Sequence, residues 1–154
     1  MFRVYFFSLS LLLAALPLLA QEPKLGRKVA LLVGINDYNE SGLGNLKCAG
    51  RDATDLRDIL VNKLGYDKRD VYLMTTTEAL LAKKIKLLPT RANILANLKG
   101  LSEELTKDDT VFIAFSGHGV QLKALKDKAL HLCPSDANLE KPETLISVNE
   151  IFTQ

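Results

Sequence analysis

His118 stands in the segment Phe115-Ser116-Gly117-His118-Gly119, directly after the apolar run Val111-Phe112-Ile113-Ala114-Phe115. An imidazole can take up a proton and give it back, and one held between two glycines has room to approach a ligand. Open α/β sheets place their sites at such strand ends, because a rigid ladder aims the residue while the following loop leaves it accessible. Acid/base work at a strand tip is the chemistry this pattern suggests.

The other reactive side chains are less pointed. Cys48 and Cys133 are the two cysteines, too few for a disulfide-built scaffold. They pair if the fold brings them close in an exported chain; otherwise each sits as a small buried hydrophobe. The sequence holds no Cys-x-x-Cys, no His-Glu-x-x-His and no Gly-rich loop ending in Gly-Lys-Ser/Thr, so no metal ligand set is read from it. Gly-x-Ser-x-Gly, the turn a serine hydrolase would need, is also missing. Gly42-x-Gly44 lacks the third glycine of a dinucleotide fingerprint. His131, between Leu130 and Leu132, reads as a structural histidine.

The formal net charge is +2, from 20 Lys and Arg against 18 Asp and Glu. Both signs are scattered, which gives no concentrated basic face for nucleic acid. The densest basic stretch, Lys83-Lys84-Ile85-Lys86, reads as a solvated loop or helix face. At the amino end, Arg3 precedes the apolar Val4 to Leu19, and Ala20 precedes the polar Gln21-Glu22-Pro23-Lys24. This is the pattern of a secretory signal peptide over residues 1–20, followed by a linker at 21–27; an uncleaved anchor is the alternative. The expected location is therefore exported, periplasmic or extracellular, with no membrane span left after cleavage.

The elements that must position His118 follow from periodicity. Lys28 to Ile35 is apolar throughout its centre, as a strand covered on both faces requires. Asn36 to Asn45 is dense in turn formers and reads as a loop. Ala53, Leu56, Ile59, Leu60 and Leu64 recur at helical spacing. Val71 to Met74 reads as a second strand and Thr75 to Leu88 is ambiguous. Thr90 can cap a helix carrying Ile94, Leu95, Leu98, Leu101 and Leu105 on one side. Thr110 to Phe115 is a third strand, Ala129 to Cys133 a fourth ended by Pro134, and Val148 to Phe152 the start of a helix. Strands alternating with helices imply an α/β domain with a mostly parallel sheet between helical layers.

Ala30-Leu31-Leu32-Val33-Gly34-Ile35, then Arg51-Asp52-Ala53, and above all Phe115-Ser116-Gly117-His118-Gly119, in that order, resemble the caspase and metacaspase family of cysteine peptidases. Leu132-Cys133-Pro134-Ser135-Asp136-Ala137 adds to the likeness, which runs from about Lys28 to the end. The resemblance implies a three-layer α/β/α sandwich over residues 28–154, cut before its last strands, and protein or peptide substrates. It implies His118 as the acid/base partner of a cysteine and the Gly119 N–H as an oxyanion-hole donor. It implies Asp52 and Ser116 as parts of a pocket for a basic side chain, with Arg51 in place of the usual neutral neighbour.

That nucleophile is expected in a motif roughly 50 residues past the histidine, beyond Gln154. The expectation is therefore the amino-terminal piece of a longer cysteine endopeptidase cleaving after Arg or Lys, itself inactive alone. The alternative is a catalytically inactive binding or regulatory module. Many relatives need calcium; here the resemblance offers only Asp136 and Glu150 for Ca2+, without paired aspartates, and leaves that dependence open.

Overall fold

A computed structural model describes residues 26–38, 42–122 and 129–153. The signal-peptide segment 1–20 and most of the 21–27 linker lie outside the described residues. Strand β1 (Lys28–Gly34) is followed by helix α1 (Ala49–Lys63), strand β2 (Val71–Met74), the short helix α2 (Thr76–Leu81), helix α3 (Arg91–Glu104) and strand β3 (Thr110–Ser116). These three strands form one parallel sheet in the order β2-β1-β3. Parallel neighbours need crossover connections, and the helices supply them.

Alternation along β1 divides the core in two. Val29, Leu31 and Val33 face α3, packing in one cluster with Ile94, Leu98 and Leu101. Ala30 and Leu32 face α1, packing with Ala53 and Leu60 and with Val71 and Leu73 of β2. Successive strand residues point to opposite faces, so an unbroken apolar run means cover on both. The three-layer α/β/α arrangement thus follows from the sequence of β1 itself. Of the five apolar positions expected to face inward on α1, Ile59 and Leu64 are instead exposed, because the inward stripe is narrower and runs through Ala53, Leu56 and Leu60.

β3, as apolar a run as β1, is not covered as β1 is. Val111, Phe112 and Ile113 are exposed, because β3 pairs only with β1 and no other described strand lies along its outer edge.

The expected fourth strand also needs correction. Ala129 to Cys133 does not extend the main sheet: only β5 (His131–Leu132) is extended. It sits between β4 (Gly119–Val120) and β6 (Ile146–Ser147) in a separate antiparallel ribbon. Helix α4 (Val148–Ile151) begins directly after β6. The segment 75–88 resolves into α2 and a 3-10 turn at Ile85–Leu87. The Thr75 hydroxyl accepts from the Glu78 N–H at 3.0 Å, which is how Thr-x-x-Glu starts a helix. Among the described residues no helix is long and apolar enough to cross a membrane.

Candidate functional site

The site is built at the carboxyl edge of the sheet from three converging pieces: the tip of β3, the loop after β1 and the start of the small ribbon. β3 ends at Ser116, whose carbonyl accepts from the Ile35 N–H at 2.9 Å, so the chain stays laddered up to the residue before Gly117-His118. The His118 carbonyl then accepts from the Cys133 N–H at 2.9 Å, which stitches the histidine to the strand carrying β5.

Tyr38 secures the other side. The His118 backbone N–H donates to the Tyr38 hydroxyl oxygen at 2.8 Å, and the two rings lie 4.8 Å apart, tilted by 55°, within the range of favourable aromatic pairs. Tyr38 is buried; burial pushes its phenol up to about 12, against the lowering effect of the His118 N–H. Gly117 is needed here because a Cβ on it would stand 2.6 Å from the Tyr38 hydroxyl oxygen. The described ends of the loop after β1 are themselves braced. The Asn45 side-chain oxygen accepts from the Tyr38 N–H at 2.8 Å, the Asn36 carbonyl accepts from the Leu46 N–H, and the Asn36 side chain accepts from the Gly50 N–H in the first turn of α1.

That loop also decides the state of the imidazole. His118 Nε2 lies 2.7 Å from the Gly44 carbonyl oxygen. A carbonyl has no hydrogen to give, so Nε2 must be the donor, and Nδ1 is left as the nitrogen able to accept a proton.

Gly119 is exposed and pairs with Leu132. The bond from the Cys133 N–H to the His118 carbonyl makes this a non-hydrogen-bonded pair of the ladder, so the Gly119 N–H points away from β5. Asp52 lies exposed in the first turn of α1. Gly34 lets that turn approach the tip of β1, since a Cβ there would meet the Ala49 carbonyl at 2.6 Å. Asp52, Ser116, His118 and Gly119 therefore share one edge of the sheet. Among the described residues no hydrogen bond or ion pair joins the Asp52 carboxylate to Ser116, to His118 or to the neighbouring Arg51.

The remaining candidates take structural places. Cys133 is fully buried and its thiol is pushed up by that burial, which disfavours the thiolate a nucleophile needs. Cys48 is exposed, and both cysteines are free, so the pairing alternative is not realised. His131 is buried, with Nδ1 3.0 Å from the Ala129 carbonyl. The two carboxylates considered for calcium are held by one arginine: the Arg91 N–H donates to Asp136 at 2.8 Å and the Arg91 guanidinium to Glu150 at 2.6 Å and to the Leu145 carbonyl at 3.0 Å. With Asp136 engaged by a backbone amide and Glu150 by the guanidinium, the pair does not fit a calcium site, which takes several free oxygens. Among the described residues no group of three His, Cys, Asp or Glu side chains is arranged to hold a metal.

Tyr38, Gly44, Asn36 and Asn45 are the parts of this edge that the sequence did not announce. Tyr38 is the one aromatic in a loop of turn formers, and an aromatic there is the signal that could have found it.

Residues 28–151 match the family described as metacaspase, peptidase C14 domain. The chain belongs to that family. Among curated metacaspases, it is 33% identical over 100 residues to Metacaspase-1 of Schizosaccharomyces pombe (65% of this chain, 22% of that protein). It is 35% identical over 96 residues to Metacaspase-1 of Cryptococcus neoformans var. neoformans (62% and 20%), and 34% identical over 94 residues to Metacaspase-1B of Aspergillus niger (61% and 20%). The chain thus spans about a fifth of the length of these metacaspases. Its parallel sheet between helices is consistent with the caspase-like fold of the family.

Proposed function

We propose that this metacaspase-family chain carries the histidine half of a Cys-His endopeptidase that cleaves after Arg or Lys. The observation that supports it most is the commitment of His118 Nε2 to the Gly44 carbonyl, which leaves Nδ1 as the working nitrogen beside the unpaired edge of β3. The cysteine would come from a further strand laid along that edge, where Val111, Phe112 and Ile113 are uncovered.

In this reading the thiol proton passes to Nδ1 and the sulfur attacks the peptide carbonyl carbon. The resulting oxyanion is met by the outward N–H of Gly119. The imidazolium returns its proton to the departing amine, and water then hydrolyses the thioester with Nδ1 again as base. The Asp52 carboxylate, exposed at the same sheet edge, and Ser116 receive the basic side chain before the cut, since a carboxylate meets a guanidinium through two charge-assisted hydrogen bonds. Residues 1–20 direct export and are removed.

The test uses the full-length gene product and peptides with Arg, Lys or Asp before a fluorogenic leaving group. Cleavage after Arg and Lys, abolished by His118→Ala and reduced at least tenfold by Asp52→Ala, is the expected result. Preference for Asp, or Arg/Lys cleavage unchanged in Asp52→Ala, removes the pocket assignment. No hydrolysis of any of them by the intact protein makes the domain a binding module. Amino-terminal sequencing of the exported product checks the cleavage after Ala20.

A further inference from the structure

Away from the histidine, a cavity of about 720 Å3 opens at the opposite side of the sheet, a volume in the range of ligand sites. It is lined by Val71, Tyr72 and Leu73 in succession. Consecutive strand residues point to opposite faces: Val71 and Leu73 belong to the α1 core and Tyr72 packs against the α3 core. A hollow that touches all three runs along the edge of β2 rather than over one face. Its walls agree, with Arg57 from the α1 layer on one side and Asn97 from α3 on the other. β2 pairs only with β1, and no other described strand occupies its outer edge. An open strand edge is a row of N–H and C=O groups set for pairing with an incoming chain.

The charge of the lining says which kind of chain. Arg57 is neutralised by Asp58 and Glu78, and Arg69 by Asp67. Lys68, Lys83, Lys84 and Lys86 also line the cavity and form no ion pair with any described residue. Four uncompensated cations thus surround an apolar floor. One of them is held at a conformational cost. Lys83 has φ 52°, the one described non-glycine residue with positive φ. It follows α2 in the position where its N–H bonds the Leu80 carbonyl and the Lys84 N–H bonds the Ala79 carbonyl. Glycine is the usual occupant of such a helix end. A lysine here keeps an ammonium on the rim where glycine would relieve the backbone.

We propose that the edge of β2 is a docking site for an acidic, extended segment of a partner protein. The segment adds as a strand to Val71–Met74, its apolar side chains on the floor and its carboxylates among Lys68, Lys83, Lys84 and Lys86. The site shares no residue with the histidine edge and stands whether or not the chain is a peptidase.

The test titrates a labelled Glu-Val alternating heptapeptide into the full-length chain carrying His118→Ala, so that no probe is consumed, and follows fluorescence anisotropy. Saturable binding is expected, weakened at least tenfold by Lys84→Glu/Lys86→Glu and at least tenfold between 50 and 300 mM salt, roughly the loss that releasing a few screened contacts gives. Lys83→Gly should raise the melting temperature while weakening the probe. A copy of the heptapeptide N-methylated at alternate residues, which cannot ladder with a strand, is expected to lose binding. This control needs no protein variant. Binding of the N-methylated copy or of a Lys-Val heptapeptide as tight as that of the acidic probe overturns the proposal, as does no binding of the acidic probe. Displacement of the probe by tripolyphosphate at equal charge concentration also overturns it, in favour of a small-polyanion site.

Discussion

Val29 and Val111 face each other across β1 and β3, two strands of similar apolar composition, yet Val29 is 2% exposed and Val111 41%. The same residue in the same ladder therefore does different work. β1 is the interior strand, sealed by α1 and α3, and it holds the domain together. β3 is a border strand whose first half faces outward and whose tip carries the imidazole. Stability is concentrated in one strand and chemistry in its neighbour, so the two should be separable by mutation.

The largest effect expected from breaking that division is at the tip of β3. His118→Ala should lower kcat/KM of the full-length protein by at least about 10^3-fold, the scale of losing an acid/base partner. Its stability should fall by only about 1 kcal/mol, for the hydrogen bond to Gly44. Turnover assays beside denaturant melts check both; a collapse of the fold would unite what the comparison separates. Leu31→Ala, in the middle of β1, should do the reverse, costing about 2–5 kcal/mol through the cavity it leaves between sheet and α3. The denaturant midpoint reads this directly.

Tyr38 belongs to both halves, being core on one side and support for His118 on the other. Its folded-state phenol is raised to about 12 from an ordinary 10, so the unfolded chain releases that proton first. The stability this group contributes is complete below pH 10 and is lost as pH rises towards 12, by about 2–3 kcal/mol in all. Tyr38→Phe should lack that fraction of the alkaline decline, which paired melts at pH 9 and 12 would reveal. The smallest effect sharpens the comparison most. Val29→Thr should cost about 1–3 kcal/mol by burying a hydroxyl, whereas Val111→Thr, directly opposite, should cost under about 0.5 kcal/mol. Equal costs would mean that β3 is as covered as β1.

Much of this was legible in the residues. The unbroken run in β1 announces two-sided burial, and Thr90 does cap α3, its hydroxyl accepting from the Asn93 N–H at 3.4 Å. The strand-then-glycine pattern puts His118 past the end of a ladder. What was not legible is non-local. An apolar run does not say whether its neighbours cover it, so β3 read like β1. Ala129 to Cys133 read as a sheet strand because a short apolar stretch looks the same in an antiparallel ribbon. The support for His118 comes from a tyrosine 80 residues earlier, whose place as the one aromatic among turn formers does not say which residue it reaches. The acidic pair considered for calcium read as available because nothing in the local sequence shows that Arg91 reaches them.

That arginine has a wider consequence. Its three bonds cross 45, 54 and 59 residues of chain, joining the start of α3 to the segments that bracket the small ribbon. The ribbon is a smaller unit tied to the larger one by Arg91, by the bond from the Ser135 N–H to the Pro89 carbonyl and by Cys133, Leu145 and Ile146 in the core shared with α3, and small units of this kind open on their own, below the free energy of global unfolding. Because Gly119 lies in that ribbon, unlatching it would disperse the outward-pointing amide while the parallel sheet stayed intact. In Arg91→Ala, hydrogen exchange should quicken at Val120, Cys133 and Val148 and leave the amides of β1 as slow as before.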